Sequence, residues 1–162
     1  MSNSIATHHL AQINVGRILY PIDAPEMAGF AGNLDAINAA AEQAPGFVWR
    51  LQSEAGNATD ILTTPDPQFI INMSVWTGID ALKDYVYRSV HTPFIGKRKQ
   101  WFEPHTQPFQ TLWWIEPGHI PTPQEGLAKL EHLRAHGPSA AAFTFKQAFL
   151  PNGTAAKQIV SG

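Results

Sequence analysis

Two adjacent tryptophans, Trp113 and Trp114, stand in the segment Phe109-Gln110-Thr111-Leu112-Trp113-Trp114-Ile115, which is closed off by Pro108 and Pro117. Aromatic and β-branched residues between prolines are a strand signal. Successive side chains of a strand point to opposite sheet faces, so the two indoles face different sides of one sheet. Both faces must then be covered. A helical layer serves one, and a second subunit or a ligand serves the other. The wider segment 101–119 adds Trp101, Phe102, His105 and His119 and holds three of the five tryptophans.

The remaining chain supplies partners for this strand. Residues 8–18 alternate, with Ala11, Ile13 and Val15 on one side and Gln12 and Asn14 on the other, which predicts β1. Asp23 is placed to cap a helix whose apolar face is Met27, Phe30, Leu34, Ile37 and Ala41; this is α1, stopped by Pro45-Gly46. Residues 47–52 read as β2, with Phe47, Trp49 and Leu51 opposite Val48, Arg50 and Gln52. Residues 68–76 read as β3, with Phe69, Ile71, Met73 and Val75 opposite Ile70, Asn72, Ser74 and Trp76. Thr77 and Asp80 begin α2, whose stripe is Ile79, Leu82, Val86 and Val90. Thr92-Pro93 interrupts it, and a second helical piece is expected over 93–102. The Trp113–Trp114 strand is β4. Thr122 and Glu125 form a capping box around Pro123 and open α3, which Gly137-Pro138 closes. Residues 143–145 suggest a short fifth strand. One domain spans 1–162, with a core of about 8–149 and flexible tails over 1–7 and 150–162.

The order β-α-β-β-α-β predicts an α+β, ferredoxin-like fold with a C-terminal helix and a possible extra strand. Its sheet is four-stranded and antiparallel, with α1 and α2 on one face. If those helices cover Ala11, Ile13 and Val15, the open face carries Gln12, Asn14, Arg50, Gln52, Asn72, Ser74 and Trp76. One of Trp113 and Trp114 joins them. Exposed indoles mark a partner. Packing sheet on sheet across a two-fold axis predicts a homodimer in which the sheets form a barrel.

Several segments point the same way: residues 11–17 (AQINVGR), 45–51 (PGFVWRL), 72–76 (NMSVW) and 86–91 (VYRSVH). They continue with Trp101-Phe102 and with Leu112-Trp113-Trp114 through Gly118-His119-Ile120-Pro121-Thr122. Through them the chain is similar, over about 9–149, to a bacterial family of uncharacterised proteins. That family lies in the dimeric α+β barrel superfamily, the antibiotic-biosynthesis-monooxygenase-like proteins. The resemblance implies the ferredoxin-like dimeric barrel. The superfamily includes cofactor-free quinone-forming monooxygenases, polyketide cyclases, lactone isomerases and haem enzymes, so the fold does not fix the chemistry.

Composition narrows the classes. The chain has no cysteine, which excludes thiol catalysis, iron–sulfur clusters and cysteine-based zinc sites. A net charge of −2 and a pI near 6.4 argue against a nucleic-acid partner, and Lys97-Arg98-Lys99 is too short a basic run to alter that. Neither a signal peptide nor a membrane-length apolar run is seen, so a cytoplasmic location without a membrane partner is expected. Phosphate loops, dinucleotide fingerprints and nucleophile elbows are absent from the sequence.

His91 is the first candidate for chemistry. It follows α2, with Tyr87 one turn earlier and Trp101 and Phe102 beyond. It suits a general acid or base, or an axial haem ligand. The plain alternative is a helix C-terminal histidine held by the dipole. Arg50, Asn72 and Ser74 on neighbouring strands could grip a carboxylate, phenolate or enolate oxygen, or else form a polar network at the dimer interface. Trp49, Trp76, Trp113 and Trp114 are pocket walls or core. His119, in a turn before α3, lines a site or orders the turn. His132 and His136 lie four apart, but residue 133 is Leu and no third ligand is visible, so no metal is expected.

The reading is a cofactor-free monooxygenase or isomerase acting on a small aromatic or polyketide-like molecule. His91, Arg50 and Asn72 are its catalytic candidates. Trp49, Ser74, Trp76, Tyr87, Trp101, Phe102, Trp113, Trp114 and His119 are its substrate-binding candidates. The alternatives are a haem protein with His91 or His119 as axial ligand, and a non-catalytic dimer that binds a small hydrophobic molecule.

Overall fold

The computed structural model describes residues 8–51, 68–89, 101–104 and 106–155, with the backbone alone at 33–35 and 89. Its elements are β1 (His9–Arg17), α1 (Ala28–Glu42), β2 (Phe47–Arg50), β3 (Phe69–Trp76), α2 (Ile79–Ser89), β4 (Gln110–Ile115) and α3 (Pro123–His136). The strands form one antiparallel sheet in the order β2-β3-β1-β4, the ferredoxin-like α+β arrangement. No helix among the described residues is long and apolar enough to cross a membrane.

The strand register defines two faces. Leu10 pairs with Trp76 and Trp114, Gln12 with Ser74 and Leu112, Asn14 with Asn72 and Gln110, and Gly16 with Ile70. The residues between them, Ala11, Ile13 and Val15, lie on the opposite face with Val75, Met73, Ile71 and Trp113.

The helices cover these faces the other way round from the expectation. α1 and α2 lie over the Leu10 face: Ala41 and Leu82 are buried with Leu10, Trp76 and Leu112. The Ala11, Ile13 and Val15 face is packed by α3, through Leu130 and Leu133. The face expected to be open therefore lies beneath helices, and the face assigned to α1 and α2 is occupied by the C-terminal helix. The cause is the apolar load. An uninterrupted aliphatic surface needs a dry cover, and the leucine stripe of α3 supplies it. Gly126 allows the close approach, since a Cβ there would lie 2.8 Å from Ile13 Cδ1.

A β-bulge alters the reading of β2. Phe47 opposes Trp76 while Trp49 opposes Val75, so two steps along β2 match one along β3. Phe47 packs with the α1–α2 cluster, and Trp49 and Leu51 pack with the α3 cluster. Strict alternation had placed the three together; the extra residue separates them.

Element ends differ for local reasons. Asp23 does not cap α1, which is entered through a 3-10 turn, Pro25–Met27, without a side-chain cap. Of the second helical piece, residues 93–100 lie outside the described residues. Trp101 and Phe102 are not helical: Phe102 bridges Ile18, Leu19 N donates to Trp101 O at 2.8 Å, and Glu103 N donates to Arg17 O at 2.9 Å. Backbone groups at the end of β1 need partners beyond β4, and this segment provides them. Ile18, Met27, Phe30 and Trp101 then form a small separate cluster. The suggested fifth strand is a single bridge, with Phe143 and Leu112 exchanging bonds of 2.8 and 2.9 Å. Residues 150–155, expected as part of a loose tail, form a closed turn: Leu150 N donates to Thr154 O, and Phe149 bridges Ala155.

Candidate functional site

Between two apolar clusters on the α1–α2 face runs a strip of polar side chains. At one end lie Leu10, Trp76 and Leu112; at the other lie Ile18, Phe30 and Trp101, with Ile70 packed on them. The two rows between are Gln12 with Ser74 and Asn14 with Asn72 and Gln110. Amides in the middle of a sheet face are placed there by strand alternation alone, and burial then forces them to bond one another.

Gln12 is the hub and is 3% exposed. Its Nε2 donates to Asn72 Oδ1 at 2.8 Å and to Ser74 Oγ at 3.0 Å. Its Oε1 accepts from Asn14 Nδ2 at 3.1 Å and from Gln110 Nε2 at 3.2 Å. Both hydrogens and both lone pairs of this amide are thereby engaged. Asn14 Nδ2 also donates to Asn72 Oδ1, and Trp76 Nε1 donates to Ser74 Oγ at 2.8 Å.

Two donors of the network are left over. Ser74 Oγ accepts twice, from Gln12 and Trp76, and its own hydroxyl hydrogen has no acceptor among the described residues. Asn72 Oδ1 accepts twice, and its Nδ2 hydrogens likewise meet no acceptor there. These two residues are neighbours on one face of β3. Ser74 is buried and Asn72 is exposed, so the strip runs from the interior to solvent. Every side chain in it is neutral. The strip is suited to orient and polarise an oxygen, but it holds no group that takes up a proton near neutral pH.

The structure gathers some expected site residues here and disperses others. Asn72, Ser74 and Trp76 belong to the strip. Trp76 is fully buried, stacked on Tyr85 at 5.1 Å and set edge-on to Phe47, so it backs the strip and does not line open space. Trp101 and Phe102 pack on Phe30 at the far end, at 5.9 and 5.3 Å. Arg50 sits opposite Ser74 on β2, and its Nε donates to Glu42 Oε2 at 2.7 Å, tying β2 to the end of α1. Tyr87 is 65% exposed on α2. Trp114 is on the same face but at the β4 edge, where its Nε1 donates to Phe149 O at 2.7 Å. His91 lies outside the described residues, as does His105. Gln12, Asn14 and Gln110 were not site candidates from the sequence. The signal for Gln12 and Asn14 was two amides on successive steps of one face of β1, whose other face, Ala11, Ile13 and Val15, is apolar.

Trp49, Trp113 and His119 are on the α3 side. Trp113 Nε1 donates to Glu125 Oε2 at 3.0 Å, and His119 Nε2 meets Glu125 Oε1 at 2.8 Å. Thr122 Oγ1 accepts from Glu125 N at 3.1 Å, which is one half of the expected capping box. The other half is not made, because the Glu125 carboxylate turns to the indole and the imidazole. Partial burial pushes the Glu125 carboxyl up, and the hydrogen bonds from His119 and Trp113 outweigh it, so its pKa lies below the ordinary value. His119 is thus a structural partner of α3. The His132 and His136 rings are 4.7 Å apart, and no third potential metal ligand joins them among the described residues.

Residues 9–159 match the family model described as Domain of unknown function (DUF3291). The chain is a member of the DUF3291 family. No curated protein matches it. Two solved structures are similar to part of this DUF3291 chain. One is SnoaB, a cofactor-independent oxygenase from Streptomyces nogalater, with 15% identity, a TM-score of 0.42, and coverage of 71% of this chain and 99% of that one. The other is NE2512, a protein of unknown function from Nitrosomonas europaea, with 10% identity, a TM-score of 0.44, and coverage of 73% and 97%. At these values the likeness carries no information about the chemistry of the DUF3291 chain.

Proposed function

We propose that the strip holds a small aromatic or polyketide-like molecule by its oxygen atoms, and that the chemistry there is a cofactor-free oxygenation or isomerisation. The observation behind this reading is the pair of donors left over by the amide network, Ser74 Oγ–H and Asn72 Nδ2–H. Donors held in place by an otherwise satisfied network do not reorganise as charge grows on a substrate oxygen, which is the condition for stabilising a phenolate or enolate. Trp76 backs the strip at one end. Trp101, Phe102 and Phe30 stand at the other, where an aromatic ring finds apolar company. Arg50 serves through Glu42 by fixing β2 against α1. The strip lacks a base, and His91, two residues past the end of α2, is proposed for that role. Trp49, Trp113 and His119 fall outside the site in this reading. A haem reading is less well supported, since the described candidate ligand, His119, has its Nε2 engaged by Glu125.

Quenching of tryptophan fluorescence by naphthols and hydroxylated anthracenes measures binding directly. Asn72→Leu and Ser74→Ala are each expected to weaken binding about fivefold to tenfold, the worth of one hydrogen bond. Unchanged affinity in the double variant would remove the strip from the reading. Oxygen uptake, or isomer formation followed by NMR, then tests turnover of whatever binds. His91→Ala should abolish turnover and leave affinity intact; equal rates would take the base away from His91.

A homodimer belongs to the same proposal, on altered grounds. The α3 face is not bare, but Trp49, Leu51, Phe69 and Phe109 are only half-buried around the margin of the α3 contact. A second copy covering that margin would bury them.

A further inference from the structure

We propose a second small-molecule site, for an amphipathic carboxylate, between the first turn of α2 and the segment 145–155. It does not depend on the reading of the amide strip, from which Leu10, Trp76 and Leu112 separate it. A cleft of about 1130 Å³ opens there. Its apolar lining includes Ile79, Trp114, Phe145 and Phe149. The outer wall is tied down by the bond from Trp114 Nε1 to Phe149 O and by the turn that returns Thr154 to Leu150. The cleft is therefore bounded by fixed backbone on both sides, the usual setting for a small-molecule site.

Two lysines give the cleft its polarity. Lys83 and Lys146 both line it, both are exposed, and neither has an ion-pair partner among the described residues. The neighbouring Arg88 is paired with Asp84, at 3.1 Å, so the two lysines differ from the cation next to them. Asp80 is the acid on the lining, leaving the cleft one positive charge in excess. An apolar trough with unpaired cations at its mouth fits a ligand with an apolar body and a single negative head. A flat neutral ring would leave both lysines unpaired, and a polyanion would bring more negative charge than the one positive charge in excess can match.

The test uses the full chain and dodecanoate as probe, followed by titration calorimetry below its micellar concentration. One molecule per chain is expected to bind, with an affinity that falls as salt is raised. Methyl dodecanoate should bind about tenfold more weakly, and Lys83→Glu with Lys146→Glu should weaken dodecanoate by about the same factor. The ester comparison needs no variant, so it stands even where the double reversal perturbs folding. Equal affinity for acid and ester overturns the proposal, as does the absence of saturable binding. Loss of dodecanoate binding in Asn72→Leu/Ser74→Ala would also overturn it, by placing the ligand on the strip.

Discussion

Gln12 shows how much one side chain can organise. Its amide joins β1 to β3 on one side and to β4 on the other, from a position that is 3% exposed. Replacement by Leu fits the space but removes the bonds to the groups that point at it. Asn14, Asn72 and Gln110 can turn toward water, and buried Ser74 keeps the bond from Trp76 Nε1. Gln12→Leu is expected to cost about 1 kcal/mol in urea unfolding, the net worth of the lost cross-strand bonds when no partner is left buried and unpaired. Glu125 makes a different prediction, because its contribution is ionic. Its folded pKa lies below the ordinary 4.5, so it stabilises the fold above that value, and the stabilisation is lost as pH falls through the folded pKa. Urea midpoints of wild type and Glu125→Gln should differ at pH 7 and converge on acidification below about 4.5. A gap that widened on acidification would contradict the sign.

At the scale of elements, the joint between α1, β2 and the start of α2 turns on Gly46. Its φ is +85°, and a Cβ there would lie 2.4 Å from Ala81 Cβ and 2.7 Å from Thr77 Oγ1. Gly46 O also accepts from Thr77 N at 2.8 Å. Gly46→Ala meets a left-handed backbone and an overlap with a neighbouring helix at once. These add to about 2–5 kcal/mol, large enough to see as a drop in melting temperature of many degrees. Elements were legible where they are signalled locally. The Thr122–Pro123 start of α3 and its Gly137 stop needed no tertiary information. The β2 bulge had no such marker: Phe47, Val48 and Trp49 read as plain alternation, and only pairing with Trp76 and Val75 reveals the added residue. The 101–102 bridge escaped for the same reason, since its partner Ile18 lies more than eighty residues away in the chain.

For the molecule as a whole, the distribution of cover over the sheet is the main finding. Helices from one chain lie on both faces, so the fold does not need a second copy to hide its centre. What a second copy would cover is the half-buried margin of Trp49, Leu51, Phe69 and Phe109. Sedimentation equilibrium should give a dimer for the wild type, and Phe69→Glu with Phe109→Glu should shift it to monomer with the far-UV spectrum retained. A wild-type monomer at all concentrations would end the homodimer proposal.

By itself the sequence determined the order of elements, the ferredoxin-like α+β arrangement and the strand faces of β1, β3 and β4, because period-two and helical patterns are local properties of the chain. It also placed Asn72, Ser74 and Trp76 on one face of β3. The tertiary structure decided which helix lies on which face. Either face of a half-apolar sheet accepts an amphipathic helix, and the choice rests on fit, as at Gly126 against Ile13. The same choice turned a supposedly open polar face into an amide network that is buried at Gln12 and Ser74 and reaches solvent at Asn72. It also divided the tryptophans between two sides that no one-dimensional pattern distinguishes.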